Sequence, residues 1–208
     1  MEYRRVPIQG RAVVVSFDIC SSSDVIEELT LCDGLEHLKN FLTKLKRYLA
    51  AAQKNLLFDP YKFTGDGWIL LFPETIDGKD LFKFLQDLCA FFEKEFRRQV
   101  LRHVGTLPTL VGLTFGIEMG PLVPITMYGQ QEYVGRALNI ACRLQSAIKD
   151  RDKSPAYKAL VSNGVYRRYL SFTQKHVKVF SVRRNLRNIR GGADIHCKKI
   201  ELLNAKAT

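Results

Sequence analysis

RAVVVSFDICSSSD, residues 11–24, sets the reading of the whole chain. Val13, Val14, Val15 and Phe17 form a short apolar, β-branched run, the pattern of a buried strand over 11–19. The run ends on a carboxylate, Asp18. Ser21, Ser22, Ser23 and Asp24 then offer good N-caps for a helix. That helical segment extends to about residue 54, with a break near Asp33-Gly34. Its apolar positions Leu35, Leu38, Phe41, Leu42, Leu45 and Leu49 recur at helical spacing.

Two further strands are expected over 57–64 and 67–73, joined by Thr64-Gly65-Asp66-Gly67, where Asp-Gly favours a tight reversal. Residues 78–102 read as an amphipathic helix whose aromatic stripe is core packing. A strand follows over 109–119. Pro121 and Pro124 then break the chain, and Gly129 to Glu132 read as a polar loop. A helix over 134–149, a short strand over 159–162, a short helix over 163–170 and strands over 176–184 and 194–203 complete the pattern. The fold class is α+β: a mostly antiparallel sheet with helices on one face.

The 208 residues suit a single domain, with its motif-bearing core at about 11–203. Hydrophobic residues at 46% and charged residues at 25% argue for a globular chain and against disorder. No apolar run reaches the ~18 residues a bilayer span needs, and the basic start MEYRRVPIQGR lacks the apolar stretch of a secretory signal. The five cysteines are scattered, odd in number and without C-x-x-C spacing, which reads as free thiols in a cytoplasmic protein. A net charge of +11 fits a polyanionic partner, nucleic acid or nucleotide, but equally a solvated basic surface; the basic run over 167–199 decides nothing alone.

The chemistry rests on two carboxylates at chain reversals. Asp18 closes a strand and Asp66 sits in a hairpin tip. Brought together, such acids repel unless a cation neutralises them, which suggests Mg²⁺ or Mn²⁺. The backbone N–H groups from Ile19 through Cys20, Ser21, Ser22 and Ser23 would face the same place, and a helix N-terminus cradles phosphate. Metal plus cradle points to a nucleoside triphosphate. Asn139 and Arg143, four residues apart, share one face of a helix. Beside a triphosphate, asparagine can bond ribose and arginine can stabilise charge on a phosphoryl group.

Four segments in order carry a resemblance: FDICSSS (17–23), YKFTGDGWILLF (61–72), GLTFGIEMG (112–120) and YVGRALNIACRL (133–144). Together they resemble the class III adenylate and guanylate cyclase homology domain, a ferredoxin-like α+β fold, over about Val13 to Ile200. The resemblance implies that Asp18 and Asp66, with the Ile19 carbonyl, bind two divalent metal ions. It implies that Asn139 positions ribose, that Arg143 stabilises the transition state, and that Lys62 reads the base together with Glu132. It also implies a head-to-tail homodimer with composite sites, one chain giving the metal carboxylates and the other Asn139 and Arg143.

The sequence departs from the pattern at Thr114, where the family often has arginine. A lysine that the family places between its last two strands has Arg187 nearest to it, with Arg190 as an alternative. Lys62 as donor and Glu132 as acceptor suit adenine, cytosine or uracil alike. The length of Glu132 and the bulk of Tyr61 and Tyr133 would shrink the pocket toward a pyrimidine. A short catalytic domain without a sensor segment resembles the bacterial pyrimidine cyclases of Pycsar anti-phage systems. That resemblance implies a uridylate cyclase whose cyclic UMP acts on a separate cyclic-nucleotide effector. The alternatives are a cytidylate cyclase, an ordinary adenylate cyclase, an inactive regulatory cyclase domain, or a basic nucleic-acid-binding α+β domain.

Overall fold

A computed structural model describes residues 6–105, 110–148, 156–186, 189 and 194–203. The chain opens with β1 (Arg11–Cys20), α1 (Ser22–Leu31), α2 (Leu35–Ala52), β2 (Asp59–Phe63), β3 (Gly67–Pro73), α3 (Gly78–Gln99) and β4 (Gly112–Pro121). This βαββαβ order produces the strand sequence β2-β3-β1-β4, the split arrangement of a ferredoxin-like sheet. The predicted break at Asp33-Gly34 is real and separates α1 from α2. Asp33 takes a left-handed φ of 54° to make that corner.

The second half adds β5 (Val123–Met127), β6 (Gln130–Val134), α4 (Arg136–Ser146), β7 (Lys158–Ser162), β8 (Val179–Asn185) and β9 (Asp194–Glu201). Strands β7, β9 and β8 extend the main sheet beyond β4, giving seven strands, while β5 and β6 form their own two-stranded ribbon. Among the described residues only the β4–β7 pairing is parallel; the other pairings are antiparallel. Asn163 to Lys175 continue as tight helical turns.

Two sequence expectations need correction. Residues 123–134 form a hairpin, not a broken chain and a polar loop. Pro124 pairs with Tyr133 there, and a two-stranded ribbon tolerates a proline because one edge needs no donor. Second, the helices do not all lie on one face. The alternating side chains of β1 separate two layers: Val13, Val15, Phe17 and Ile19 pack with α1, α2 and α3, whereas Ala12 and Val14 pack with Ala137 and Ala141 of α4. A strand buried on both faces must read as an unbroken apolar run, which is why residues 12–15 do not alternate.

The α2–α3 layer is held by aromatics. Phe41 meets Phe92 at 5.4 Å and Phe96 at 5.0 Å, both edge-on. On the other face α4 lies directly on β4. A Cβ at Gly116 would come within 1.9 Å of the Ala141 carbonyl oxygen and 2.3 Å of the Gln145 nitrogen. Only glycine lets the helix approach so closely. This contact fixes where α4 stands over the ends of β1 and β4.

Candidate active site

The β1–β3 register brings the two acids together. Asp18 pairs with Gly67, the residue after Asp66, so both carboxylates lie at one end of the sheet. The hairpin tip is closed by Thr64 N–H bonding the Gly67 carbonyl at 3.0 Å, with Gly65 at φ 106°. The positive φ falls on Gly65, so it is the Gly-Asp pair that makes the turn. The Ser22 hydroxyl donates to Asp66 Oδ2, tying the hairpin to the first turn of α1.

Ser21 precedes α1 in a left-handed conformation, φ 59° and ψ 28°, and makes no side-chain cap. Such a backbone is disfavoured for a non-glycine residue by about 1–2 kcal/mol, and strain of this kind concentrates at functional sites. The serines therefore do not act as the simple caps their sequence suggests. Beyond Ser22, they leave the amino end of α1 open to a ligand. Cys20 ends β1 half-buried, Ile19 is buried toward the α1–α3 core, and Ser23 is exposed.

A second cluster gathers at Lys62 and Glu132, 3.7 Å apart from Nζ to Oε2. The Tyr61 hydroxyl donates to the same Glu132 oxygen and accepts the Tyr133 N–H at 3.2 Å. The Tyr133 hydroxyl in turn accepts the Ile8 N–H at 2.9 Å. The two tyrosine rings meet edge-on at 5.4 Å and are buried. They form a packed wall that fixes Glu132, while Lys62 stays exposed.

In sequence the chain matches no family model and no curated protein. In fold it has close counterparts. The adenylyl cyclase CyaB from P. aeruginosa superposes with a TM-score of 0.67 at 19% identity, over 100% of this chain and 98% of that one. The guanylate cyclase domain of RhGC from Catenaria anguillulae, in complex with GTP, gives 0.64 at 16% identity, over 94% and 98%. An adenylate cyclase from Trypanosoma brucei in its monomeric state gives 0.68 at 12%, over 98% and 96%. This chain has the cyclase catalytic-domain fold. At these identities the likeness is one of fold.

Within the cyclase fold, α4 turns Ala137, Ile140, Ala141, Leu144 and Gln145 inward. Asn139 is left exposed and Arg143 half-buried on its outer side. Among the described residues no hydrogen bond or ion pair joins either of them to Asp66 of the same chain, whose partner is Ser22. Cys142, between them, has its thiol pushed up by burial, so it stays protonated. Arg187 and Arg190 lie outside the described residues.

Sequence reading missed Gln145 beside Asp18 and Lys158 beside Thr114. Gln145 Nε2 bonds Thr114 Oγ1 at 3.0 Å and reaches Asp18 Oδ2 at 3.5 Å. Lys158 is buried beside Thr114 in the β4–β7 register. A polar residue on the inward side of a predicted helix was the one available signal for Gln145. Nothing in the sequence marked Lys158.

Among the described residues no group of three or more His, Cys, Asp or Glu could hold a metal ion. Two carboxylates and a backbone carbonyl are nevertheless hard oxygen donors. They fit Mg²⁺ or Mn²⁺, whose remaining ligands are commonly water and substrate phosphate. In the described residues no helix is long and apolar enough to cross a membrane.

Proposed function

We propose that this chain is a nucleotidyl cyclase that converts a nucleoside triphosphate to a 3′,5′-cyclic nucleotide and pyrophosphate. The observation that carries this reading is the convergence of Asp18, Asp66 and the open start of α1 at one sheet end of a cyclase fold. Asp18 and Asp66, with the Ile19 carbonyl, hold two divalent metal ions. Those ions, when bound, lower the pKa of the ribose 3′ hydroxyl and neutralise the triphosphate. The backbone from Cys20 to Ser23 takes the phosphates, and Arg187 adds charge to them. Asn139 orients the ribose and Arg143 stabilises charge on the α-phosphate. The 3′ oxygen bonds to the α-phosphorus as the bond to the bridging oxygen breaks. The hydroxyl proton is lost to water and pyrophosphate leaves.

The working unit is a head-to-tail homodimer with composite sites. Supporting this, Asn139 and Arg143 sit on the outer side of α4, available to a second chain. The β5–β6 ribbon also exposes Val123, Met127, Tyr128 and Val134, apolar surface that a partner would cover.

The substrate is a pyrimidine nucleotide, UTP, and the enzyme works in the cytoplasm in anti-phage signalling. Its cyclic UMP is read by a separate effector. Lys62 donates to the base and Glu132 accepts from it, held in place by the Tyr61 hydroxyl. Turnover of the four ribonucleoside triphosphates with Mn²⁺ tests the reading. Cyclic UMP as the main product is expected. Cyclic CMP or cyclic AMP would move the specificity to the alternatives, and no cyclic product from any of the four would remove the enzyme reading.

A further inference from the structure

Lys158 is 2% exposed, one of the largest fully buried side chains in the molecule. An ammonium is rarely buried unless an acid compensates it. Alternation along β7 sets its direction. Ala159 and Val161 join the core under α1–α3, while Leu160 packs with Ile140 and Leu144 of α4. Lys158 therefore lies on the α4 face. Asp18 shares that face, in step with Ala12 and Val14 of β1.

The register completes the geometry. Thr114 pairs with Asp18 on one side and with Lys158 on the other. The three residues form one row across β1, β4 and β7, with Lys158 two strand spacings, ~10 Å of backbone, from Asp18. A small threonine stands between them, so an extended lysine side chain can pass over it. Gln145 of α4 roofs the row through its contacts to Thr114 and Asp18. Beyond Lys158 the row continues to Glu201 of β9, a half-buried acid and the rival partner.

We propose that Lys158 is the counter-cation of Asp18. It is a positioning residue that sets where the carboxylate points and competes with a divalent cation for it. The charge enters from a neighbouring strand at the level of Thr114, where the sequence motif lacks its arginine. The competition rests on reading Asp18 as a metal ligand; the pairing does not.

The test is a double-mutant cycle of Asp18→Asn and Lys158→Met, read as thermal melting in EDTA, with Mn²⁺ affinity measured by electron paramagnetic resonance without nucleotide. Each single variant should melt lower than wild type, and the pair should lose less than the sum. Lys158→Arg should melt near wild type. Lys158→Met should bind Mn²⁺ about tenfold tighter than wild type, the usual scale of coupling between neighbouring sites. Should Lys158→Met not fold, Lys158→Gln takes its place in the cycle. Additive melting effects, coupling to Glu201→Gln instead, or an unchanged Mn²⁺ affinity each overturn the proposal. Equal Mn²⁺ binding by wild type and Asp18→Asn would instead sink the metal reading, and the melting cycle would still decide the pairing.

Discussion

Glu132 shows how one side chain is prepared by its neighbours. Its Oε2 takes the Tyr61 hydroxyl and faces Lys62; in the proposed base-reading role Oε1 would be the oxygen that meets the base. Tyr61 is thus a support for Glu132 more than a contact surface, since the ring itself is buried. Removing the hydroxyl in Tyr61→Phe should loosen Glu132 and raise KM for the preferred nucleotide roughly tenfold, the scale of a lost hydrogen bond to a charged group. The value of kcat should change far less, because this contact lies away from the reacting phosphorus. Steady-state kinetics with all four nucleotides would check it. A fall in kcat at unchanged KM would deny the role. Asp66 has a similar support in Ser22. Ser22→Ala should raise the Mn²⁺ concentration needed for half-maximal activity, read from a metal titration.

At the level of elements, α4 and the α2–α3 pair make separate claims. α4 can sit over β1 and β4 only because Gly116 has no side chain. Gly116→Ala would push a methyl into backbone at Ala141 and Gln145, and neither atom can give way cheaply. Overpacking of this kind costs ~1–3 kcal/mol. The variant should melt lower in urea and lose cyclase activity, because Asn139 and Arg143 move with the helix. The α2–α3 pair holds an acid-sensitive contact. Glu95 of α3 is held down to about 2, foremost by the Lys44 hydrogen bond and then by Arg98 and Gln99, against the opposing effect of burial. Its usual value is 4.5, so the folded state resists protonation more than the unfolded one. The stabilisation is therefore complete above pH ~4.5 and fades as pH falls toward ~2. Thermal melts across that window should show Glu95→Gln with a flatter acid limb than wild type.

For the whole molecule, the decisive question is whether one chain holds a complete site. Asn139 and Arg143 lie on the outer side of α4, and among the described residues neither is bonded to Asp66 of its own chain. Mixing inactive Asp66→Ala with inactive Arg143→Ala should therefore restore activity. Half the dimers would be mixed, and one of their two sites would be intact, which gives roughly a quarter of wild-type turnover. No recovery on mixing would place every catalytic group in one chain. The same division runs through what the sequence could say. The β1 run, the glycine-rich hairpin and the helical stripes fixed the elements, because periodicity and turn chemistry are local. They also marked Asp18, Asp66, Asn139 and Arg143, whose spacing within each element survives folding. The β5–β6 ribbon escaped notice because Pro124 reads as a breaker unless its strand is known to lie at an edge. The second helical face escaped because an apolar strand does not say which element covers which side. Gln145 beside Asp18 and Lys158 in the same row were invisible, since they lie 127 and 140 residues further along the chain. Only the parallel register of β7 on β4 and the close seating of α4 on Gly116 bring them there, and both are products of sheet pairing and packing that no local pattern encodes.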